Sequence, residues 1–336
     1  MEINEKIKIG SSDLEKISKI SRIIRRSETF FVAGHVKPDG DSLGSALALA
    51  SVLKRFGKKV CVYSSDETPD FLKFLKGTDE IKRMAKKGDM FDCAIVLESL
   101  DFSRMGNIIT PKQAKKIINI DHHFAHTNFG NVNYVVPSSA STAELVLNIL
   151  EYMKVKLTKN EAESLYTGIL NDTGRFQQTN TTPDSHVACA RLMRFGINVN
   201  DIYKKIYENN SINTLRLRGL ALYGIKTILN NHVSYIVLRR NMFKKLGSKN
   251  LTTDGIINYT LKVKNVKIGC LFGEIDKKTT RISCRSVKDF NVLEVMRKFG
   301  GGGHKNAAGC IIKTGINASI KLISNVLKEK LNSYDL

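Results

Sequence analysis

The sequence lacks several features that would place it in common functional classes. Its 336 residues include no tryptophan, and aromatic residues make up only 7% of the chain, which argues against a long nucleic-acid channel of stacking aromatic side chains. No apolar run approaches the length of about 20 residues that a membrane-spanning helix needs. Residues 13–26 predict a charged amphipathic helix without the apolar core of a signal peptide. We therefore expect no association with membranes.

Cysteine is used in a way that excludes two further kinds of site. The six cysteines are scattered singly, and no CxxC pair occurs, so the sequence predicts neither a disulfide framework nor a thiolate metal site. This usage is typical of the reducing cytoplasm, where we expect the protein to be located. At 42% hydrophobic and 25% charged residues, the chain is globular and long enough for two domains.

Acidic residues are scarce in the C-terminal part of the chain. Residues 1–200 hold 28 Lys and Arg against 23 Asp and Glu, whereas residues 201–336 hold 25 against 9. A proteome rich in lysine would raise the charge of both parts alike. The uneven distribution favours a C-terminal part that faces a polyanion.

Of the motifs that are present, the most informative is residues 34–45, GHVKPDGDSLGS. The apolar segment 29–33 before it predicts a buried strand, and an Ala/Leu-rich helix follows. His35, Asp39 and Asp41 then lie at the carboxyl end of a strand, where open α/β sheets bind ligands. One imidazole and two carboxylates suit Mn²⁺, Mg²⁺ or Zn²⁺. A polar turn with an aspartate as helix cap would explain the same residues.

Further acidic and histidine residues follow apolar segments along the chain. Strands are predicted at 59–64, 93–97 and 116–120. Their alternation with helical or turn-rich sequence is typical of a parallel sheet covered on both faces. The last two strands run into Glu98 and into Asp121-His122-His123, and a helical run leads to Asp172. These are the ligand types of a two-metal hydrolytic centre.

The domain organisation is predicted from the distribution of these candidates. Residues 196–229 are helical in pattern and hold no catalytic candidate, so we predict a linker between domains at 1–195 and 230–336. The second domain has the pattern of a smaller α/β unit. Its glycines 300–303 would let backbone N–H groups approach a phosphate closely, with His304 at their edge.

Taken together, these motifs resemble those of a known superfamily. HVKPDGD, an acid after the third strand, DHH and NDTGRF occur in the order and spacing of the four motifs of DHH phosphoesterases. GGGGHKNAAG resembles the glycine-rich signature of the DHH-associated C-terminal domain. The resemblance spans roughly residues 25–330. Without an added oligonucleotide-binding fold, the length is similar to that of the nano-RNase and pAp-phosphatase branch.

The resemblance implies an α/β fold with a parallel-sheet DHH domain, a smaller C-terminal α/β domain and an active-site cleft between them. It implies two divalent cations, Mn²⁺ in the first place and Mg²⁺ as the alternative. The metal ligands carried over from the family are His35, Asp39, Asp41, Glu98, His122 and Asp172. Glu98, as the bridging ligand, departs from the aspartate usual in the family, and Asp101 is the alternative if Glu98 points away.

The same resemblance implies roles for residues around the metals. Asp121 would orient an imidazole, and His123 would face the scissile phosphate or the leaving oxygen. The candidate substrate contacts are Arg104, Arg175, Arg285, Ser286, Gly301, Gly302, Gly303 and His304. Arginine suits bidentate contact with phosphate oxygens, although for an isolated arginine a solvated surface position is the simpler interpretation.

The predicted function is therefore hydrolysis of short oligoribonucleotides to mononucleotides, with removal of the 3′-phosphate of pAp. The alternatives are hydrolysis of pApA or cyclic di-AMP, a RecJ-like single-strand DNA exonuclease, and a nucleotide- or RNA-binding protein with a decayed site. Inorganic pyrophosphatases share the metal motifs but lack the glycine-rich signature. The expected partner is short RNA or a nucleotide, and the prediction allows a homodimer.

Overall fold

The structure is a computed structural model that describes residues 10–124, 127–247, 251, 253, 255–287 and 290–332. By its internal contacts the chain divides into two compact units, Met1–Asn209 and Asn210–Leu336. The boundary between the units falls inside the stretch 196–229, for which the sequence predicts a linker. The domain limits 1–195 and 230–336 remain a prediction.

The first unit contains a five-stranded sheet in which all neighbouring strands are parallel. Its strands are β1 (Thr29–Ala33), β2 (Lys59–Tyr63), β3 (Phe91–Leu97), β4 (Ala114–Asp121) and β5 (Val132–Val135). Their order across the sheet is β2-β1-β3-β4-β5. The β1, β3 and β4 strands thus lie side by side, and their carboxyl ends meet at one edge.

The α-helices of the first unit, with the exception of the first, begin at residues whose side chains cap them. They are α1 (Ser11–Arg26), α2 (Gly40–Arg55), α3 (Thr142–Tyr152), α4 (Lys159–Asp172), α5 (Pro183–Met193) and α6 (Val199–Tyr207). The side chains of Asp39, Ser141 and Thr158 accept backbone N–H groups of the first turns of α2, α3 and α4. The capping aspartate of α2 is also one of the predicted metal ligands.

The two faces of this sheet are covered differently. Successive strand residues point to opposite faces, so Phe30 and Val32 join the larger cluster with the helices, while Phe31 joins a smaller one. Turns and short 3-10 helices supply the cover of the smaller cluster, including Met105 and Ile108. The predicted parallel sheet with both faces buried is confirmed, but its second face is packed without an α-helix among the described residues.

The second unit contains a six-stranded mixed sheet. Its strands are β6 (Lys226–Ile228), β7 (Val233–Leu238), β8 (Ile268–Asp276), β9 (Thr279–Ser286), β10 (Gly302–His304) and β11 (Ala307–Ile312). Their order is β10-β11-β9-β8-β7-β6, and only the β7–β8 pair is parallel. Its α-helices are α7 (Ile212–Tyr223), α8 (Arg240–Lys245), α9 (Val292–Arg297) and α10 (Ile316–Asn332).

Each face of the second sheet has its own cluster of buried residues. Ile282 and Cys284 of β9 face the side covered by α9 and α10. Ile236 and Leu238 of β7 face the side covered by α7, α8 and a 3-10 helix at Ile256–Lys262. The predicted second α/β unit is confirmed. Within the described part of the chain, no helix is both long and apolar enough to cross a membrane.

Candidate metal centre

The predicted metal ligands lie at the carboxyl edge of the parallel sheet. His35 follows β1 by two residues, Glu98 follows β3 directly, and Asp121 is the last residue of β4. Asp41 lies in the first turn of α2, and Asp172 is the last residue of α4. The topology alone therefore brings together residues that are up to 137 positions apart in sequence.

One group of potential ligands consists of His35, Asp39 and Glu98, whose donor atoms lie within 4.8 Å of one another. His35 Nε2 is 3.8 Å from Asp39 Oδ2 and 3.7 Å from Glu98 Oε2. The other ring nitrogen, Nδ1, is 2.7 Å from the carbonyl oxygen of Val36. Because a carbonyl only accepts hydrogen bonds, Nδ1 carries the proton and Nε2 offers its lone pair to a cation.

Asp39 serves two purposes at once. Its Oδ1 accepts hydrogen bonds from the backbone N–H groups of Asp41 and Ser42, which caps α2, while its Oδ2 faces His35. The helix-cap interpretation and the metal-ligand interpretation of this residue are therefore compatible. The cap fixes the carboxylate in the orientation that a ligand needs.

Glu98 points into the site, and its backbone adopts an unusual conformation. Its φ is 53°, in the left-handed region that non-glycine residues rarely occupy. The residue is 4% exposed, and Oε2 has no hydrogen-bond partner among the described residues. Asp101, the alternative ligand, instead caps a 3-10 helix by accepting from Ser103 and belongs to none of the potential ligand groups.

A second group of potential ligands consists of Asp41, His122 and Asp172. His122 Nε2 is 3.5 Å from Asp172 Oδ2 and 4.0 Å from Asp41 Oδ2, and this buried nitrogen has no hydrogen-bond partner among the described residues. Its Nδ1 lies 3.2 Å from the carbonyl oxygen of Ser139, which leaves Nε2 as the free lone pair. Glu98 also groups with His122 and His123. Its carboxylate therefore lies near both ligand groups.

The carboxylates of this site repel one another in the absence of a cation. Burial, followed by repulsion from Asp172 and Asp39, raises the pKa of Asp41 well above its ordinary value. Burial, followed by repulsion from Asp39, also raises the pKa of Glu98 well above its ordinary value. The same two causes raise the pKa of Asp172 to about 7. Burial lowers the pKa of His122, which keeps this imidazole neutral. A cluster of buried anions with neutral imidazoles is stabilised by bound cations.

The donor set fits divalent cations. It offers carboxylate oxygens and imidazole nitrogens and no thiolate, which suits Mn²⁺ and Mg²⁺ better than a soft metal. Two buried ligand atoms, Glu98 Oε2 and His122 Nε2, lack any other partner in the described structure. The acidic and histidine groups could therefore hold metal, in agreement with the sequence.

Asp121 and His123 form a hydrogen-bonded pair beside the ligands. His123 Nδ1 is 2.7 Å from Asp121 Oδ1, which also accepts the backbone N–H groups of His122 and His123. Burial opposes ionisation of Asp121, but these hydrogen bonds prevail and hold its pKa below the ordinary value. The hydrogen bond to Asp121 raises the pKa of His123. The pair thus favours a protonated imidazole next to the ligand groups.

Several residues that support the site were not among the candidate site residues of the sequence. Asn180 Nδ2 donates to Asp172 Oδ2 at 3.1 Å, and Asn171 Oδ1 accepts from the backbone N–H of Gly40 at 2.8 Å. The backbone N–H groups of Thr142 and Ala143 donate to the two oxygens of Asp41. A backbone donor can belong to any residue type, so only the fold reveals these contacts.

The two candidate arginines of the first unit lie close to the ligand segments. The carbonyl oxygen of Arg104 accepts from Val36 N, which follows His35, and the Arg104 side chain is exposed. Arg175 has a left-handed φ of 65°, and its guanidinium lies 4.9 Å from the ring centre of Tyr207. This cation–π contact fixes the direction of the Arg175 side chain.

The candidate contacts of the second unit fall on β9 and β10. Arg285 is half-buried, donates to the carbonyl oxygen of Cys284 and lines a cavity of about 420 Å³ together with Arg281 and Ser283. Ser286 points to the opposite face of β9, where its hydroxyl donates to the carbonyl oxygen of Phe290. That hydrogen bond ties the end of β9 to the segment that follows it.

The glycine run beside β11 has its own structural requirements. A Cβ at Gly301 would lie 2.3 Å from the carbonyl oxygen of Gly309, and one at Gly303 would lie 2.4 Å from that of Ala307. A Cβ at Gly302 would meet nothing within 4 Å. Close packing on β11 therefore explains Gly301 and Gly303 but not Gly302. The backbone of His304 ends β10, and its side chain lies outside what the structure describes.

Comparisons with known proteins agree with this architecture. Residues 29–169 match the model of the DHH family, N-terminal domain, and residues 231–333 match that of the DHHA1 domain. A relative from Thermus thermophilus, named bifunctional oligoribonuclease and PAP phosphatase NrnA, is 29% identical over 302 residues, covering 89% of each chain. The protein of the same name from Bacillus subtilis is 25% identical over 298 residues, covering 88% of this chain and 93% of its own.

One solved structure is similar over nearly the whole length. An exopolyphosphatase-related protein from Bacteroides fragilis has a TM-score of 0.87 and 28% identity, covering 94% of this chain and 96% of its own. The fold is therefore shared across both units. Matching domain models, motifs and fold show that this chain carries a DHH domain and a DHHA1 domain and is a DHH-type phosphoesterase, a hydrolase that acts on ester bonds.

Proposed function

We propose that this chain uses two Mn²⁺ ions to hydrolyse short oligoribonucleotides to mononucleotides, and that it also converts pAp to AMP. The observation that carries this proposal is the pair of ligand groups, with the buried Glu98 carboxylate close to His35 and Asp39 of one and to His122 of the other. One group is built on His35 and Asp39, and the other on Asp41, His122 and Asp172. Two adjacent groups of this kind suit the clamp that stabilises both the attacking and the leaving oxygen of a phosphoester.

The relatives support the choice of substrate. Two proteins named bifunctional oligoribonuclease and PAP phosphatase align over 88–89% of this chain. A third, from Streptococcus mutans, carries the same name with the word probable, at 25% identity over 287 residues. These names describe an activity on short RNA and on a nucleotide bisphosphate, and we extend that activity to this chain.

The residues of the first unit would divide the work as follows. The cations, held by the two ligand groups, would lower the pKa of a bound water and offset charge on the phosphoryl oxygens. His123, protonated on Nδ1 towards Asp121, would donate the proton on Nε2 to the departing ribose oxygen. Asp121 keeps that imidazole charged and correctly turned. The exposed Arg104 and Arg175 would contact phosphate oxygens of the substrate.

The second unit would contribute to substrate binding. Arg285 and the open Gly302 offer a guanidinium and an unshielded backbone to a phosphate group, and we include Ser286 and His304 as predicted contacts. The excess of basic over acidic residues in 201–336 has the sign that a polyanionic substrate needs. The six free cysteines are in keeping with a reducing cytoplasm.

The experiment is product analysis of the purified chain with Mn²⁺ and with Mg²⁺. The substrates are a 5′-phosphorylated RNA dinucleotide, a 24-residue RNA, a DNA of equal length, pAp, pApA and cyclic di-AMP. We expect mononucleotides from the dinucleotide, AMP from pAp, and little cleavage of the long DNA. Preferred cleavage of pApA or cyclic di-AMP would replace the proposed substrate, and rapid degradation of the DNA would favour a RecJ-like enzyme.

A matched pair of variants shows whether the metal site causes the cleavage. Asp39→Ala and Asp101→Ala each remove an aspartate that caps a helix, but only Asp39 belongs to a ligand group. We expect Asp39→Ala to abolish cleavage and Asp101→Ala, which removes a cap but no potential ligand, to retain it. If wild type binds substrate but cleaves nothing on the panel, the chain is a binding protein with a decayed site.

A further inference from the structure

Two metal ligands from different parts of the first unit depend on a single turn, residues 139–143. This turn follows β5, passes through Ser141, the N-cap residue, and ends with the first two residues of α3. It holds none of the ligands itself. Its contacts reach the end of β4 on one side and the first turn of α2 on the other.

On the β4 side, the turn orients His122. The carbonyl oxygen of Ser139 lies 3.2 Å from His122 Nδ1 and fixes the proton on that nitrogen. The other nitrogen, Nε2, is thereby kept as a lone pair directed at Asp172 and Asp41. If the carbonyl group moved, the imidazole could rotate or change tautomer, and the ligand atom would be lost.

On the α2 side, the turn orients Asp41. Thr142 N donates to Asp41 Oδ2 at 2.6 Å, and Ala143 N donates to Oδ1 at 2.8 Å. These are the first two N–H groups of α3, which have no carbonyl partner within the helix. Asp41 is fully buried, so these donors hold its carboxylate in one position. His122 and Asp41 thus share one support.

Hydrogen bonds of Glu144 hold the conformation of this turn. Glu144 Oε2 accepts from the Ser139 hydroxyl at 2.8 Å and from Ala140 N at 3.2 Å, while Glu144 N donates to Ser141 Oγ at 3.3 Å. Glu144 is 3% exposed, so water cannot easily replace these bonds. A glutamate three residues after the N-cap commonly closes a capping box. Here the capped turn also carries the contacts to two metal ligands.

We propose that Glu144 is a positioning residue of the metal centre: it holds turn 139–143 in the conformation that orients His122 and Asp41 for the cation. This inference rests on the metal centre assigned under the proposed function. It predicts that loss of the Glu144 carboxylate lowers metal affinity although Glu144 touches no metal. Partners behind metal ligands typically change affinity or activity by about 10–100-fold when removed.

The test measures Mn²⁺ binding to the metal-free full-length chain by isothermal titration calorimetry, without substrate. We expect Glu144→Ala to weaken binding by about 10–100-fold. Glu144→Gln should restore most of the affinity, because the amide oxygen can still accept from Ala140 N. The matched control is Glu161→Ala: Glu161 is also buried, also stands three residues after an N-cap, and supports α4 about 16 Å along the helix from Asp172.

Glu161→Ala should lower the thermal stability, since it removes the carboxylate partner of Arg55 and the side-chain acceptor of Thr158 N, but should leave Mn²⁺ affinity unchanged. Wild-type affinity in Glu144→Ala, or an equal loss in Glu161→Ala, would overturn the proposal. If Glu144→Ala does not fold, Ser139→Ala serves in its place, because it removes one of the two donors to Glu144 Oε2. This variant must also bind Mn²⁺ more weakly than wild type. Unchanged Mn²⁺ affinity in Ser139→Ala would overturn the proposal. Failure of wild type itself to bind Mn²⁺ would instead refute the proposed metal centre.

Discussion

Glu98 is the residue in which burial, backbone conformation and charge conflict most directly. The residue is 4% exposed, its Oε2 has no hydrogen-bond partner among the described residues, and burial raises the pKa of its carboxyl group well above the ordinary value. Without a cation, an ionised Glu98 therefore destabilises the folded chain. With cations bound, the same charge becomes a ligand. Stability and function place opposite demands on this side chain.

We therefore expect Glu98→Gln to change stability and activity in opposite directions. In excess chelator at pH 7.5, the neutral amide should raise the melting temperature by about 2–4 °C, the shift that about 1 kcal/mol produces in a domain of this size. With Mn²⁺, the same variant should lose hydrolytic activity. Calorimetry and product analysis measure the two effects. A melting temperature of Glu98→Gln below that of wild type in chelator would show that the Glu98 carboxylate does not destabilise the metal-free chain.

Asp172 gives a pH dependence with a defined sign. Its pKa is raised by burial and by Asp39 to about 7, above the value of about 3.9 expected in the unfolded chain. The folded chain thus binds more protons between these values, and the contribution of Asp172 to stability falls as pH rises from about 4 to 7. Urea unfolding in chelator should show that wild type loses stability relative to Asp172→Asn over this range. A constant difference between the two would contradict the raised pKa.

At the scale of secondary structure, the glycines of the paired helices α2 and α4 determine how closely Asp41 is enclosed. A Cβ at Gly168 of α4 would lie 2.7 Å from Ala143 Cβ and 2.9 Å from Asp41 Oδ1. A Cβ at Gly219, on the exposed side of α7, would meet nothing within 4 Å. The same substitution should thus have opposite effects in the two helices.

We expect Gly168→Ala to destabilise the chain and to weaken Mn²⁺ binding, because the new methyl group displaces Asp41 or the start of α3. Gly219→Ala should stabilise the chain by up to about 1 kcal/mol through helix propensity alone, without changing Mn²⁺ affinity. Denaturant unfolding and calorimetric titration measure both. Unchanged metal affinity in Gly168→Ala would mean that α2 and α4 can separate without moving the ligand.

The elements that the sequence predicts well are the ones with buried apolar runs. The β1, β3 and β4 strands are such runs, and the sequence predicts them at 29–33, 93–97 and 116–120. The β5, β6 and β10 strands are only three or four residues long and lie at sheet edges, where little apolar surface is buried. Periodicity cannot identify segments of that length.

The sequence predicts the side chains of the candidate site but not the backbone groups that hold them. His35, Asp39, Glu98, His122 and Asp172 are residue types with metal chemistry, placed at strand or helix ends, and the structure groups them with Asp41. The Asp41 carboxylate, in contrast, accepts hydrogen bonds from Thr142 N and Ala143 N, which lie about 100 residues away in sequence. No pattern in the sequence encodes such a contact, because it depends on the tertiary fold.

At the scale of the whole molecule, the excess of positive charge is concentrated in the part of the chain that holds the DHHA1 domain. The 25 basic against 9 acidic residues of 201–336 predict substrate binding that weakens with salt. Each phosphate contact contributes about 0.7 to the slope of log affinity against log salt for single strands. Arg285→Ala should reduce the slope for a trinucleotide by about this amount in metal-free protein. The control Arg216→Ala, on the exposed side of α7, should leave the salt slope unchanged. Equal slopes in wild type and both variants would show that Arg285 does not contact the substrate.

The central claim is that one chain builds two cation sites from the two ligand groups. The most direct measurement is the number of Mn²⁺ ions bound per metal-free chain, determined by equilibrium titration with electron paramagnetic resonance of the free ion. We expect two ions for wild type and one tight site each for Asp39→Ala and Asp172→Ala, since each variant breaks a different group. A wild-type chain that binds fewer than two ions, or variants that both keep two, would contradict the account.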